Sequence, residues 1–189
     1  MEDTVLATLK SMLTARGLVG DFETLGNPLD ETKMYTFDGL LVIFSTKTRV
    51  TEKELNNFLN FASENSYSTG ILIGSPSRPS ESVLTVLRNH IQNRDNPLVQ
   101  IFEMRHLQFD ISKHRLVPKH RIVTDQERDD MMKEFNITSP IALPKIDSQD
   151  PMAKWIGARP GDVIEVLGLC ESSGDNRRYR YCVADVTNG

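Results

Sequence analysis

Leu40-Leu41-Val42-Ile43-Phe44 is the stretch on which the fold turns. Five consecutive apolar side chains, partly β-branched and bounded by turn-forming residues, suit a strand buried on both faces. Just downstream, Thr51-Glu52-Lys53-Glu54 is a capping box, in which the Thr51 hydroxyl and the Glu54 carboxylate satisfy the first free N–H groups of a helix. That helix carries Leu55, Phe58, Leu59 and Ala62 toward the strand. Gly70-Ile71-Leu72-Ile73-Gly74 is a second buried strand, and Ser80 to Ile91 places Val83, Leu84, Leu87 and Ile91 on one helical stripe. Leu98 to Phe102 is a third short apolar run. Strands spaced by helices predict a sheet with parallel neighbours and helical crossovers.

Upstream, Thr4 to Val19 sets Val5, Leu6, Leu9, Met12 and Leu13 at helical spacing, with Gly17 placed to end the helix, and a polar stretch with Gly26, Pro28 and Asp30 follows. Residues 1–110 are therefore expected to form an α/β domain with a mixed sheet and crossover helices. Residues 111–189 read differently, as a small, turn-rich α+β module broken by Pro140, Pro144, Pro151 and Pro160. Thr124-Asp125-Gln126-Glu127 is another capping box. Asp150-Pro151 starts a short helix with a capping carboxylate and Pro at the first position, Gly157 stops it, and Trp155 and Ile156 face the core. Pro160-Gly161-Asp162 leads into Val163-Ile164-Glu165-Val166-Leu167, and Ser172-Ser173-Gly174-Asp175 into Tyr179-Arg180-Tyr181-Cys182-Val183, predicting two antiparallel strands.

With 189 residues, 39% apolar and 25% charged, the chain has the composition of a globular protein and not of a fibrous or disordered one. The run Leu40 to Phe44 is its longest apolar stretch, far short of a bilayer span, and the acidic start Met1-Glu2-Asp3 does not read as a signal peptide. An intracellular, soluble protein with no membrane partner is expected. Cys170 and Cys182 are the two cysteines, neither in a CxxC, so a disulfide framework and a cysteine-rich zinc site are excluded and both are expected to be buried small hydrophobes. The net charge of -4 argues against a free-standing nucleic-acid binder. That acidity belongs to residues 1–103, with 9 Lys/Arg against 13 Asp/Glu, while residues 104–189 hold 13 of each, which suggests two modules.

Catalytic signatures are missing: no GxxxxGK[ST], GxGxxG or GxSxG occurs. No catalytic residue, cofactor or metal is expected. His106, His114 and His120 lack a matching carboxylate pattern, and Lys113, Arg115, Lys119 and Arg121 crowd the last two with charge that repels a cation. The segment from Lys113 to Arg121 reads either as a solvated loop or as a docking surface for an acidic partner or phosphates. Arg177-Arg178-Tyr179-Arg180-Tyr181 can stack bases and pair phosphates, or is the period-two alternation of a strand. Ser75-Pro76-Ser77-Arg78-Pro79-Ser80 is an ordinary strand-to-helix loop or a phosphate contact before a helix N-terminus.

Taken in order, the motifs of the second half closely resemble one family. They run His114-Arg115-Leu116-Val117-Pro118-Lys119-His120, Glu127, Leu143-Pro144-Lys145-Ile146, Asp150-Pro151 with Ala153 and Gly157, Gly161-Asp162-Val163-Ile164, and Tyr179-Arg180. This is similar to the assembly domain of the fifth shared subunit of eukaryotic RNA polymerases, whose archaeal counterpart consists of that domain alone. The first half is similar, more weakly, to the family's jaw domain, whose fold is likened to type II restriction nucleases. No paired acids with an ExK arrangement stand here for metal-dependent cleavage. The resemblance implies a non-catalytic subunit whose second domain (residues 111–189) binds the largest subunit and whose jaw (residues 1–110) lies beside downstream double-stranded DNA. It implies DNA-proximal Ser77, Arg78, Pro79 and Ser80. It also implies a partner surface from His114, Leu116, Val117, Pro118, His120, Pro144, Asp150, Pro151, Arg159, Gly161, Asp162, Tyr179 and Arg180. Gly168 and Cys170 stand where the family usually carries Arg and Ser, a departure that fits a divergent lineage, with the chain in the nucleus of a cell or in a virus factory or virion. The readings from other classes are a free-standing nucleic-acid enzyme on the α/β domain and a DNA-binding adaptor.

Overall fold

The computed structural model describes residues 2–26, 29, 32–170 and 174–186, and the chain divides into two units, Met1–Asp110 and Ile111–Gly189. Among the described residues of the first, helix α1 (Glu2–Ala15) precedes strands β1 (Glu23–Leu25), β2 (Thr32–Phe37) and β3 (Leu40–Ser45). Helix α2 (Glu52–Glu64), β4 (Gly70–Ser75), α3 (Glu81–Gln92) and β5 (Leu98–Glu103) follow. The sheet order is β1-β2-β3-β4-β5, with β3, β4 and β5 parallel and β1 and β2 antiparallel. β3, the strand of the apolar run, is buried along its whole length.

The sheet separates its side chains by strand alternation. Leu41, Ile43, Ile71, Ile73, Val99 and Ile101 join Leu55, Phe58 and Ala62 of α2 and Val83, Leu84, Leu87 and Ile91 of α3 in one cluster. Two crossovers stepping the same way across a sheet must put both helices on one face. The alternate residues, Val42, Leu72, Gln100 and Phe102, point to the other face, where Arg16 at the end of α1 donates to Gln100 Oε1 at 2.7 Å. Val5, Leu9, Met12 and Leu13 of α1 are buried, so the layers run α1, sheet, α2 with α3. Gly74 is required in β4, because a Cβ there would lie 2.5 Å from Phe44 Cδ1.

β1 and β2 depart from the sequence-based expectation, in which the residues before Leu40 form a polar connection. The signal that marks them is Asp38-Gly39, with φ of +48° and +74°, the dipeptide and conformation of a tight hairpin turn between β2 and β3. The capping box of α2 forms as expected, with Thr51 accepting from Glu54 N and Glu54 reaching back to Thr51 N at 2.9 Å. The end of α1 at Gly17 follows the expected pattern: Gly17 N donates to Thr14 O and Leu18 N to Leu13 O. α2 closes the same way at Ser66, a non-glycine residue at φ +59°, with Tyr67 N donating to Ala62 O.

In the second unit, β6 (Lys119–Ile122), α4 (Asp125–Glu134), β7 (Lys145–Asp147), α5 (Pro151–Ile156), β8 (Val163–Cys170) and β9 (Gly174–Val183) are connected by turns. The described strands order as β6-β8-β9-β7, with β8 and β9 the expected antiparallel pair. One face carries Ile164, Val166, Cys182 and Ile146 against Ala153 and Ala158 at α5, with half-buried Ile156 packed alongside. The opposite face carries Val163, Tyr179 and Tyr181 against Met131 and Met132 of α4. β6 and β7 are not foreseen by periodicity, because they hold four and three residues with little apolar alternation. Cys182 is fully buried, as expected, while the Cys170 side chain lies outside the described residues.

Candidate partner-binding surface

Many motif residues of the second half are engaged within their own unit. Asp150 Oδ1 accepts from Met152 N at 2.8 Å and Ala153 N at 3.3 Å, and Pro151 occupies the first turn of α5. Gly157, at φ +76°, closes that helix, with Ala158 N donating to Ala153 O. Asp162 Oδ2 then accepts from Arg159 N at 2.7 Å, Gly161 N donates to Cys182 O, and Cys182 N donates to Asp162 O. Asp150, Pro151, Gly161 and Asp162 therefore set the path of the backbone from α5 into β8. The expected buried position of Trp155 fits this, since the short helix turns it inward at 4% exposure. Tyr181 N donates to Pro144 O, and Arg180 Nη1 to Lys145 O at 3.3 Å, tying β9 to the start of β7.

A second constellation joins residues from separate sequence motifs whose meeting the sequence does not foretell. Glu165, 6% exposed, lies opposite Arg121 of β6 and Tyr179 of β9. Arg121 Nε donates to Glu165 Oε2 at 2.5 Å, Arg177 Nε sits 3.0 Å from Glu165 Oε1, and the Tyr179 hydroxyl donates to Oε1 at 3.4 Å. Arg121 Nη1 also donates to Glu127 Oε2 at 2.9 Å. Glu127 is the return half of the α4 capping box, which forms as expected. With Arg121 foremost, and the Thr124 N–H beside it, the Glu127 carboxyl is drawn down to about 2, and the same pair holds the Arg121 guanidinium above its ordinary value. The residues are distant in the chain and meet only through strand register, which leaves no local signal in the sequence.

The side chains from His114 to His120, ahead of Arg121, are different. Leu116 is 76% exposed, His114, Arg115 and Lys119 are exposed, and Val117, Pro118 and His120 are half-buried. Their hydrogen bonds are local: His114 Nδ1 accepts from Leu116 N at 3.2 Å, and His120 Nδ1 lies 2.8 Å from Pro118 O. Gly168 faces this segment across the sheet, and a Cβ there would lie 3.9 Å from Pro118 Cβ. There is room for a side chain at 168, so packing does not demand glycine there. Tyr179 is anchored by Glu165 and by the edge of the Phe135 ring, 6.1 Å away.

In the first unit, Ser77, Pro79 and Ser80 are half-buried and Arg78 is exposed, in the loop between β4 and α3. Ser80 is the N-cap of α3, yet its hydroxyl makes no capping bond and lies 3.1 Å from that of Ser82. Ser75, ending β4, is fully buried, and its hydroxyl has no partner among the described residues. Among the described residues no group of three or more His, Cys, Asp or Glu is placed to hold a metal ion, so His106, His114 and His120 form no such set. No described helix is long and apolar enough to cross a membrane.

The second unit thus joins a turn-built sheet to an exposed, cation-bearing segment ahead of β6. Residues 109–182 match the family model described as "RNA polymerase Rpb5, C-terminal domain". DNA-directed RNA polymerase subunit Rpo5 of Pyrococcus abyssi is 41% identical over 78 residues, which are 41% of this chain and 94% of that protein. The Rpo5 subunit of Sulfolobus acidocaldarius is 45% identical over 74 residues, 39% of this chain and 87% of that one. Subunit 5B of DNA-directed RNA polymerases IV and V of Arabidopsis thaliana is 33% identical over 109 residues, 54% of this chain and 49% of that protein. That last match is longer than the second unit and so extends into the first. The chain belongs to the Rpb5/Rpo5 family, the fifth shared subunit of RNA polymerases.

Proposed function

We propose that the chain is a non-catalytic subunit of a multisubunit DNA-directed RNA polymerase, whose unit Ile111–Gly189 serves as its assembly domain. The observation that carries this is the family match over residues 109–182. The anchoring contacts, on this reading, come from His114, Leu116, Val117, Pro118 and His120, which have exposed or half-buried surface and little to do inside their own unit. Pro144, Asp150, Pro151, Arg159, Gly161, Asp162, Tyr179 and Arg180 shape the surface around them, and the largest subunit covers part of it. The unit Met1–Asp110 acts as a jaw of restriction-nuclease-like form beside downstream DNA, working as a scaffold.

Arg78 supports the DNA-facing part of the reading: an exposed cation in a loop that opens onto the N-terminus of α3, where backbone N–H groups favour a phosphate. A chain of net charge -4 holds DNA poorly by itself, so the polymerase keeps the jaw in place. The cell nucleus or a virus factory is then the site of action, according to which polymerase holds it. Purification of the chain from its native source tests the reading. Polymerase subunits are expected in stoichiometric amount, and their absence would overturn it. Arg78→Ala in the assembled enzyme is expected to weaken downstream-DNA engagement and to lower its salt slope by about one phosphate contact. An unchanged slope would remove the loop from the mechanism.

A further inference from the structure

We propose that the outer edge of β6 is completed by an added strand: an extended segment of a polymerase partner, with carboxylates on one face and apolar side chains on the other. This rests on the reading of the chain as a polymerase subunit and adds the mode of docking and the chemistry of the docked segment.

The sheet order leaves β6 at an edge, paired among the described residues with β8 alone. Its phase is fixed by Val123 N donating to Val163 O at 3.0 Å, just past the strand and in the same register. Antiparallel ladders alternate, so Lys119 and Arg121 share that phase and turn their main-chain groups toward β8. His120 and Ile122 therefore present N–H and C=O outward. The strand carries no proline to blunt this edge. A lysine on an edge strand commonly guards against self-pairing, and beside it Ile122 is 37% exposed, an apolar side chain that an added strand would cover.

The two faces of the edge specify the occupant. Lys119 and Arg121 lie on the face of Glu165 and α4. The charge of Arg121 is already committed to Glu127 and Glu165, whereas Lys119 is exposed, and Arg115 stands exposed just before the strand. Carboxylates on an incoming strand match this side. Ile122 lies on the other face, opposite Ile164, whose cluster packs under α5. Apolar residues on the incoming strand would extend that cluster, with exposed Leu116 preceding it. The opposite edge is less suited, since β7 has three residues and its Ile146 is buried within the unit.

Amide hydrogen exchange of the full chain, free and within the purified polymerase, decides the matter. The His120 and Ile122 amides are expected to exchange at least about tenfold more slowly in the complex. Ile122→Pro removes an outward donor while leaving the bonds to β8, so the free variant should keep its melting temperature and be retained by the polymerase about tenfold less after a salt wash. A chain held by the polymerase with free-chain exchange at both amides overturns the added strand and leaves the polymerase reading standing. A chain retained by no polymerase overturns both.

Discussion

In the first unit, Leu41, Ile43, Ile71, Ile73, Val99 and Ile101 sit on parallel strands with α2 and α3 over one face and α1 over the other. The second unit has a thin sheet with small clusters on each side, led by Ile164, Val166 and Cys182 on one face and Val163 and Met131 on the other. Its shape depends more on polar geometry: the Asp150 cap, the Asp162 turn, and Glu165 between Arg121 and Arg177. A fold held by turn and cap chemistry leaves a specific residue pattern, whereas many apolar sets satisfy a two-sided strand. The family match falls on residues 109–182. Within it, residues with structural work, Arg121 among them, separate from the exposed and half-buried side chains of residues 114–120, whose hydrogen bonds stay local.

Ile43→Ala, at a fully buried position, is expected to destabilise the first unit by about 4 kcal/mol in denaturant unfolding. A loss under about 1 kcal/mol would mean that the sheet core does not dominate that unit. Glu165→Gln is expected to cost the second unit about 2 kcal/mol, because Arg121 and Arg177 lose a buried carboxylate but remain partly hydrated. Exchange of β8 amides should rise with β4 unaffected. Asp150→Ala removes the α5 cap and is expected to cost about 1 kcal/mol by the same measurement. Ser66→Gly, which relieves a left-handed non-glycine residue after α2, should raise stability by about 0.5–1 kcal/mol, and a loss would sink that account of the helix end.

Acid gives a subtler contrast. The Glu127 carboxyl is held at about 2, below its unfolded value near 4.3. A depressed acid contributes stability that is complete above the unfolded value and is lost as pH falls through the folded one. Between about pH 5 and 2 the first turn of α4 should therefore loosen, read by amide exchange at Glu127 and Arg128. α2 carries the same capping box but is pinned by Leu55, Phe58 and Ala62, so its first turn should loosen less. Equal loosening would remove the distinction between core-held and polar-held helices.

What is legible in the sequence follows the same division. Periodicity exposes α1, β3, α2, β4, α3 and β5, and caps expose α4 and α5, because each signal lies within one turn or one short run. β2 is hidden because Thr32, Lys33, Tyr35 and Thr36 dilute its alternation, although Asp38-Gly39 marks its end. β6 and β7 are hidden because edge strands this short need no apolar pattern. Of the candidate surface, the exposed 114–120 stretch and the loop at Arg78 are readable as local charge and proline patterns. The Arg121, Glu165 and Arg177 arrangement is not, since Arg121 and Glu165 are joined only by register across β6 and β8.

Cross-linking of the native polymerase with an amine-reactive reagent tests the central claim most directly. Lys119, and Lys113 beside it, should link to the largest subunit, with Arg115→Glu and Lys119→Glu together lowering the chain's occupancy in the enzyme. A polymerase that contains the chain but yields links to the largest subunit only from the first unit, or one from which the chain is missing, would contradict it.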